Sequence, residues 1–162
     1  MISRTLVLIK PDGVERGLVG TLISRFEKVG LKIVGMKMIW VDEDFSKEHY
    51  FDIAERHGER VLKNLTGYLT SGPVIATVLE GVSAVEVVRK ITGSTYPNEA
   101  LPGTIRGDFT HISKDYANKN NKFVGNLIHA SANLKEAKQE IKLWFSIEEL
   151  HNYNTVHDKH VI

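Results

Sequence analysis

The chain has 162 residues, 42% hydrophobic and 25% charged, which is enough apolar material for the core of one globular domain. Lysine and arginine number 21 against 20 acids, so there is no global field of one sign to hold nucleic acid or an anionic membrane, and any anion must be bound locally. The absence of cysteine excludes disulfides, thiol catalysis and thiolate zinc sites.

Thr5 to Ile9 is a short apolar run closed by Lys10-Pro11-Asp12-Gly13, the pattern of a buried strand ending in a turn. Leu18, Leu22, Phe26 and Val29 recur at helical spacing, and Gly30 follows as a helix stop. Leu31 to Val41 reads as a strand. Phe45 to Leu69 reads as a helical hairpin: Tyr50, Ile53 and Ala54 form one face and Val61, Leu62, Leu65, Tyr68 and Leu69 a second, with a break at Arg56-His57-Gly58. After Ser71-Gly72-Pro73, Val74 to Leu79 is a buried strand. Ser83 and Glu86 have the spacing of a capping box for a helix carrying Val85, Val88 and Ile91, stopped by Gly93.

From Ser94 to Asn126 the periodicity fades into a long loop region with the polar cluster Asn118-Lys119-Asn120-Asn121. Leu127 and Ile128 form a short apolar edge leading into His129. Beyond Asn133 a last helix places Leu134, Ala137, Ile141 and Trp144 on one face. The expected organisation is one domain over residues 1–153 and a frayed, flexible tail over 154–162. With no signal-peptide pattern and no apolar run long enough for a bilayer, the chain reads as soluble, and the cytoplasm is the simplest assignment. The layout is α+β, with helices packed over a sheet.

No glycine-rich Walker pattern occurs, which argues against a P-loop. In its place Lys10, Arg89 and Arg106 are scattered near element ends, where each alone reads as a surface charge. His129 follows an apolar strand and precedes the small residues Ala130-Ser131-Ala132, which leave its ring approachable, although a structural histidine fits the same pattern. Glu140 lies about two helical turns beyond Asn133 and is within reach of a ring nitrogen of His129; spacing does not separate that contact from a solvated carboxylate.

Three strings in order break the tie. Thr5-Leu6-Val7-Leu8-Ile9-Lys10-Pro11-Asp12-Gly13, Pro102-Gly103-Thr104-Ile105-Arg106-Gly107-Asp108-Phe109 and Asn126-Leu127-Ile128-His129-Ala130-Ser131 resemble the nucleoside diphosphate kinases, and the likeness extends from Thr5 to Tyr153.

The resemblance implies a ferredoxin-like βαββαβ core with a four-stranded antiparallel sheet, an extended helical hairpin and a long loop before the active histidine. It implies that His129 takes the terminal phosphate of a nucleoside triphosphate, as a pros-phosphohistidine, and passes it to a diphosphate in a ping-pong cycle. Lys10, Tyr50, Arg89, Thr95 and Arg106 are then expected around the phosphates. Asn126 with Lys10 is expected on the sugar 3′-hydroxyl, and Ser131 and Glu140 beside the catalytic ring. Mg²⁺ is the implied cofactor, held by nucleotide and water with no protein ligand, and ATP is the expected main donor. The family also implies a homo-oligomer, a hexamer or alternatively a tetramer or dimer, without nucleic acid or membrane as partner.

The sequence departs from the pattern at the base site, where Val61 replaces the usual stacking phenylalanine and Phe123 falls near the opposing apolar position. The stretches from Tyr50 to Leu65 and from Arg106 to Asn126 look longer than usual and are expected to alter access or base preference. Ala130 and Ala132 stand where small and acidic neighbours of the histidine are often found.

Other features take bland readings. Arg106-Gly107-Asp108 lies inside a catalytic string and is not an adhesion motif, and His151, His157 and His160 belong to the tail. His49 and His57 read as solvated or interface residues, and Trp40 and Trp144 as packing residues. The rivals are a ferredoxin-like RNA-binding module, disfavoured by the neutral charge, and a non-catalytic scaffold, disfavoured by Lys10, Arg106, Asn126 and His129.

Overall fold

The structure is a computed structural model that describes residues 1–161, without the side chain of Val161, so the last residue of the expected tail lies outside the described residues. Four antiparallel strands form one sheet in the order β2-β3-β1-β4: β1 Ile2–Ile9, β2 Lys32–Ile39, β3 Val74–Val82 and β4 Ile128–Ala130. The two central strands are apolar on both faces because both faces are covered, and their continuous runs gave no alternation to read.

One face packs on α2 (Val19–Glu27) and α6 (Ala84–Thr92): Val7, Ile9 and Leu79 meet Leu22, Phe26 and Val88, all fully buried. The other face carries Leu6, Leu8 and Val78 against Tyr50, Leu69 and Trp144, from the helical hairpin and the last helix. With α1 (Pro11–Glu15) following β1, the core is the expected βαββαβ arrangement with extra helices on the second face.

The hairpin comprises three helices, α3 (Glu43–His49), α4 (Ile53–His57) and α5 (Glu59–Leu69). The expected break falls at Gly58, whose φ of 87° only glycine adopts without strain. The long connection before β4 contains a 3₁₀ turn at Pro97–Glu99 and two short helices, α7 (Ile105–Phe109) and α8 (Lys114–Lys119). Thr104 caps α7 by accepting from the Gly107 amide, and Ser113 caps α8 by accepting from the Tyr116 amide. These single-turn helices are too short to leave a periodic signal.

The capping box expected at Ser83 does not form. Ser83 is left-handed, with φ 50°, and its side chain caps nothing; Ser3 Oγ accepts from the Ala84 amide in its place. A residue from β1 thus does work that the local pattern assigned to Ser83. Asn133 does cap α9 (Leu134–Trp144), accepting from the Glu136 amide at 2.9 Å.

Trp144 is buried as expected, but Trp40 is 66% exposed, its Nε1 donating to the Thr70 carbonyl. The chain to Tyr153 is tied to β2: His151 donates to Val34 O, and Tyr153 Oη to Ile33 O. Beyond it, Asp158 accepts from Thr155 and opens the short helix α10 (Asp158–Val161).

Candidate active site

The site begins where β1 ends. Register pairs His129 with Leu8, so its ring projects from the same face of the sheet, toward α9 and the hairpin. Two residues before it, Leu127 is left-handed at φ 67°, which is unusual for a buried leucine and marks a functional constraint. The turn is held by Lys10 N donating to Leu127 O at 2.8 Å and by Leu127 N donating to Asp12 Oδ2 at 3.2 Å. It points Asn126 into a cleft while Ile128 enters the sheet. Gly13 permits this close approach, since a Cβ there would stand 2.7 Å from Ile9 Cγ2 and 3.2 Å from Leu127 O.

A cleft of about 200 Å³ gathers Lys10, Tyr50, Arg89, Thr95, Arg106 and Asn126 in front of His129. Ser131 and Glu140 stand behind the ring. Glu140 Oε1 lies 2.8 Å from His129 Nε2, and Glu140 Oε2 accepts from Ser131 Oγ at 2.5 Å. Burial pushes the Glu140 carboxyl up, but attraction to His129 and the hydrogen bonds it accepts pull it below its usual value. An ionised carboxylate only accepts, so His129 Nε2 donates and the Nδ1 lone pair is left bare.

Lys10 is 5% exposed, with Nζ donating to Asn126 Oδ1 at 2.8 Å and lying 5.0 Å from the Tyr68 ring centroid. Burial, with Arg106 nearby, lowers its pKa to about 7. Asn126 Nδ2 in turn donates to Thr95 O. Arg106 donates to the carbonyls of Gly93, Ser94, Asn126 and Ile128, which clamps the loop after α6 to β4. Four of the five guanidinium N–H groups are engaged and one is left for a ligand. Burial and then Arg89 lower the Arg106 pKa to about 10. Crowded cations in a cleft whose walls, among the described residues, include no carboxylate are the arrangement of a polyanion site.

A second cavity of about 420 Å³ continues from the first, sharing Lys10, Leu65, Thr95 and Asn126, and its walls include Val61 and Phe123. Both are partly exposed, and Phe123 stacks on Tyr68 with ring centroids 5.6 Å apart and planes at 19°. Every residue expected at the nucleotide site therefore lies in or directly behind one continuous cleft.

The donor set also bears on metal. Among the described residues no carboxylate lines the two cavities; Glu140 is engaged by His129 and Ser131, and Asp12 accepts from the amides of Gly13 and Leu127. Such a cleft fits a divalent cation that arrives on a nucleotide's phosphates, with no protein ligand of its own.

Three residues were misjudged or missed. His49, expected to be a solvated or interface residue, is 7% exposed and stands with its ring centroid 4.8 Å from that of His129. Phe45, His49 and Ile53 recur every four residues, and that spacing was the available signal. Asp12 and Tyr68, read as turn and core residues, hold the Leu127 turn and line the cleft.

A cationic cleft on a ferredoxin-like sheet, facing a histidine whose far nitrogen is pinned by a carboxylate, defines a phosphotransferase that works through its own side chain. The profile of the nucleoside diphosphate kinases matches residues 3–150, and the chain belongs to that family. The nucleoside diphosphate kinase of Borreliella burgdorferi is 49% identical over 155 residues, covering 94% of this chain and 93% of that protein. That of Pyrococcus horikoshii is 53% identical over 152 residues, covering 93% and 90%.

Among solved structures, a transition state mimic of the enzyme from Borrelia burgdorferi with bound vanadate and ADP superposes with TM-score 0.95 at 47% identity, covering 99% of this chain and 96% of the other. A halophilic enzyme from Halobacterium salinarum in complex with CDP gives TM-score 0.85 at 38% identity, covering 98% and 97%. The chain is accordingly an enzyme that moves a terminal phosphate from nucleoside triphosphates to diphosphates through a phosphohistidine, and nucleotides are its substrates.

Proposed function

We propose that His129 is the phosphate carrier and that Nδ1, the pros nitrogen, is the attacking atom. The observation that carries this reading is the 2.8 Å contact between His129 Nε2 and Glu140, which leaves Nδ1 as the nitrogen with a free lone pair. Nδ1 attacks the terminal phosphorus of a triphosphate, the bond to the bridging oxygen breaks, and the diphosphate leaves with that oxygen's charge. A second diphosphate then attacks the same phosphorus and the P–N bond breaks, which restores the neutral ring.

Lys10, Arg89 and Arg106 stabilise charge on the transferring oxygens, with Tyr50 and Thr95 as hydroxyl donors. Lys10 and Asn126, already joined to each other, receive the sugar 3′-hydroxyl. Ser131 holds the second oxygen of Glu140 so that the first stays on the ring. Val61 and Phe123 bound the base end of the cleft, where stacking accepts any base. Mg²⁺ would be held by the nucleotide's phosphates and water and would offset phosphate charge; ATP is the main donor.

In the cell we place the enzyme in the cytoplasm, as residues 1–153 forming one catalytic domain with a tail over 154–162; no described helix is long and apolar enough to cross a membrane. It assembles as a homo-oligomer, for which a hexamer is the family expectation; the edge strand β2 leaves Met36 and Met38 exposed by 52% and 61%, beside Trp40.

Incubation with γ-labelled triphosphate and Mg²⁺ should leave acid-labile, base-stable label on the chain, released by added diphosphate. His129→Gln should take up none, and label persisting in that variant would refute the assignment.

A further inference from the structure

His49 is a buried imidazole that the reaction as described does not use. Trp144 Nε1 donates to its Nδ1 at 3.2 Å, so a neutral His49 carries its proton on Nε2. Burial first, and then His129, lower its pKa to about 3, which keeps the ring neutral. Its Nε2 has no hydrogen-bond partner among the described residues. An orphaned N–H in a core costs stability, and such groups recur where function requires them.

The surroundings of that N–H are specific. The His49 and His129 rings cross at 82°, and one ring nitrogen of His49, one of His129 and one carboxylate oxygen of Glu140 lie within 4.8 Å of one another. These residue types suit a transition metal, but the protons oppose one. A metal on His49 Nε2 would force the proton onto Nδ1, against the Trp144 N–H, and His129 Nε2 is already a donor to Glu140. What remains is a fixed N–H dipole beside a buried carboxylate.

We propose that His49 is a positioning residue for the phosphate carrier: its Nε2–H steadies the Glu140 carboxylate, which in turn keeps the His129 proton on Nε2 and Nδ1 bare. In a buried setting a charge–dipole interaction acts over such a distance with little screening. The groups facing this cluster are His129 from β4, Glu140 from α9, Lys10 from the end of β1 and Tyr50 from the adjoining turn. Without the His49 N–H, the Glu140 carboxylate is held less firmly against His129 Nε2, and Nδ1 is aligned on the terminal phosphorus less often.

The proposal rests on His129 as carrier, and the test separates the two. Single-turnover phosphorylation is measured with γ-labelled ATP and Mg²⁺ across pH in three variants. His49→Gln keeps an amide N–H near the Nε2 position, His49→Asn keeps only a group near Nδ1, and His49→Phe keeps only the ring.

The expected result is phosphorylation about tenfold slower in His49→Asn and His49→Phe, with ADP affinity unchanged, while His49→Gln stays within about threefold of wild type. Equal rates in His49→Asn and His49→Gln, or a His49→Phe as fast as wild type, would show packing alone and overturn the proposal. If His49→Phe does not fold, the other two decide. Label retained by His129→Gln would sink the carrier reading; label lost there without an Asn/Gln difference would sink only the role of His49.

Discussion

At the scale of single residues, the site is built by making groups uncomfortable until substrate arrives. Lys10 is buried beside Arg106 with a pKa near 7, so the empty protein holds its ammonium at a cost that a phosphate removes. Two outcomes follow. Nucleotide binding between pH 7 and 9 should draw a proton from solution, visible as a dependence of the calorimetric binding heat on the buffer's ionisation enthalpy.

Lys10→Met should lose transfer activity yet stabilise the empty protein, by about 1 kcal/mol or more. The sign can be checked against pH. Between the folded value of about 7 and the free value of 10.5 the unfolded chain binds a proton that the folded chain does not, so wild-type stability rises with pH across that window. The advantage of Lys10→Met should be full below pH 7 and fade toward 10.5, as read by urea unfolding.

Glu140 behaves in the opposite sense: its folded pKa is depressed, so its contribution is present above the unfolded value and disappears as pH falls through the folded one. The stability gap between wild type and Glu140→Gln should therefore shrink in acid.

At the scale of elements, the important pieces are the shortest. The helix α7 is five residues long and exists to carry Arg106 to four carbonyls on two other segments. Its Gly107 packs directly under the Leu101 carbonyl, where no Cβ fits. Gly107→Ala should displace Arg106, destabilise the fold by about 1–3 kcal/mol and lower phosphorylation of His129; thermal unfolding and the labelling assay check both. The far end of the cleft, proposed to take the base, is walled by Val61 on α5 and by Phe123 in the segment after α8. A panel of diphosphate acceptors is expected to show unequal KM values across bases, and uniform values would argue against an altered base site.

At the scale of the whole molecule, the exposed apolar side chains of β2 ask for a partner, and a second copy supplies an identical edge. Met38→Glu should lower the mass seen by light scattering if that edge is an interface, whereas an unchanged mass would place the contact elsewhere.

Much of this plan was legible in order along the chain. The α+β order of strands and helices, the Gly58 and Gly93 breaks and the Asn133 cap follow from local chemistry, because hydrophobic period, positive φ and capping hydrogen bonds are satisfied within a few residues, whereas the βαββαβ topology came from the family resemblance. The resemblance in three strings identified the phosphate-handling residues, and the cleft collects them. Ser83, Trp40 and His49 were misread because each is defined by a partner far away in sequence: Ser3 took the cap that Ser83 was expected to form, Trp40 meets Thr70, and His49 meets Trp144 and His129.

The same distinction separates what the chain determined alone from what its folding decided. Residue types and spacing determined that a histidine, scattered cations and an α+β layout were present. Which nitrogen of His129 is free, how far Lys10 is desolvated and where His49 points depend on contacts spanning from about 10 to over 100 residues, and burial and hydrogen-bond direction exist only once those contacts close.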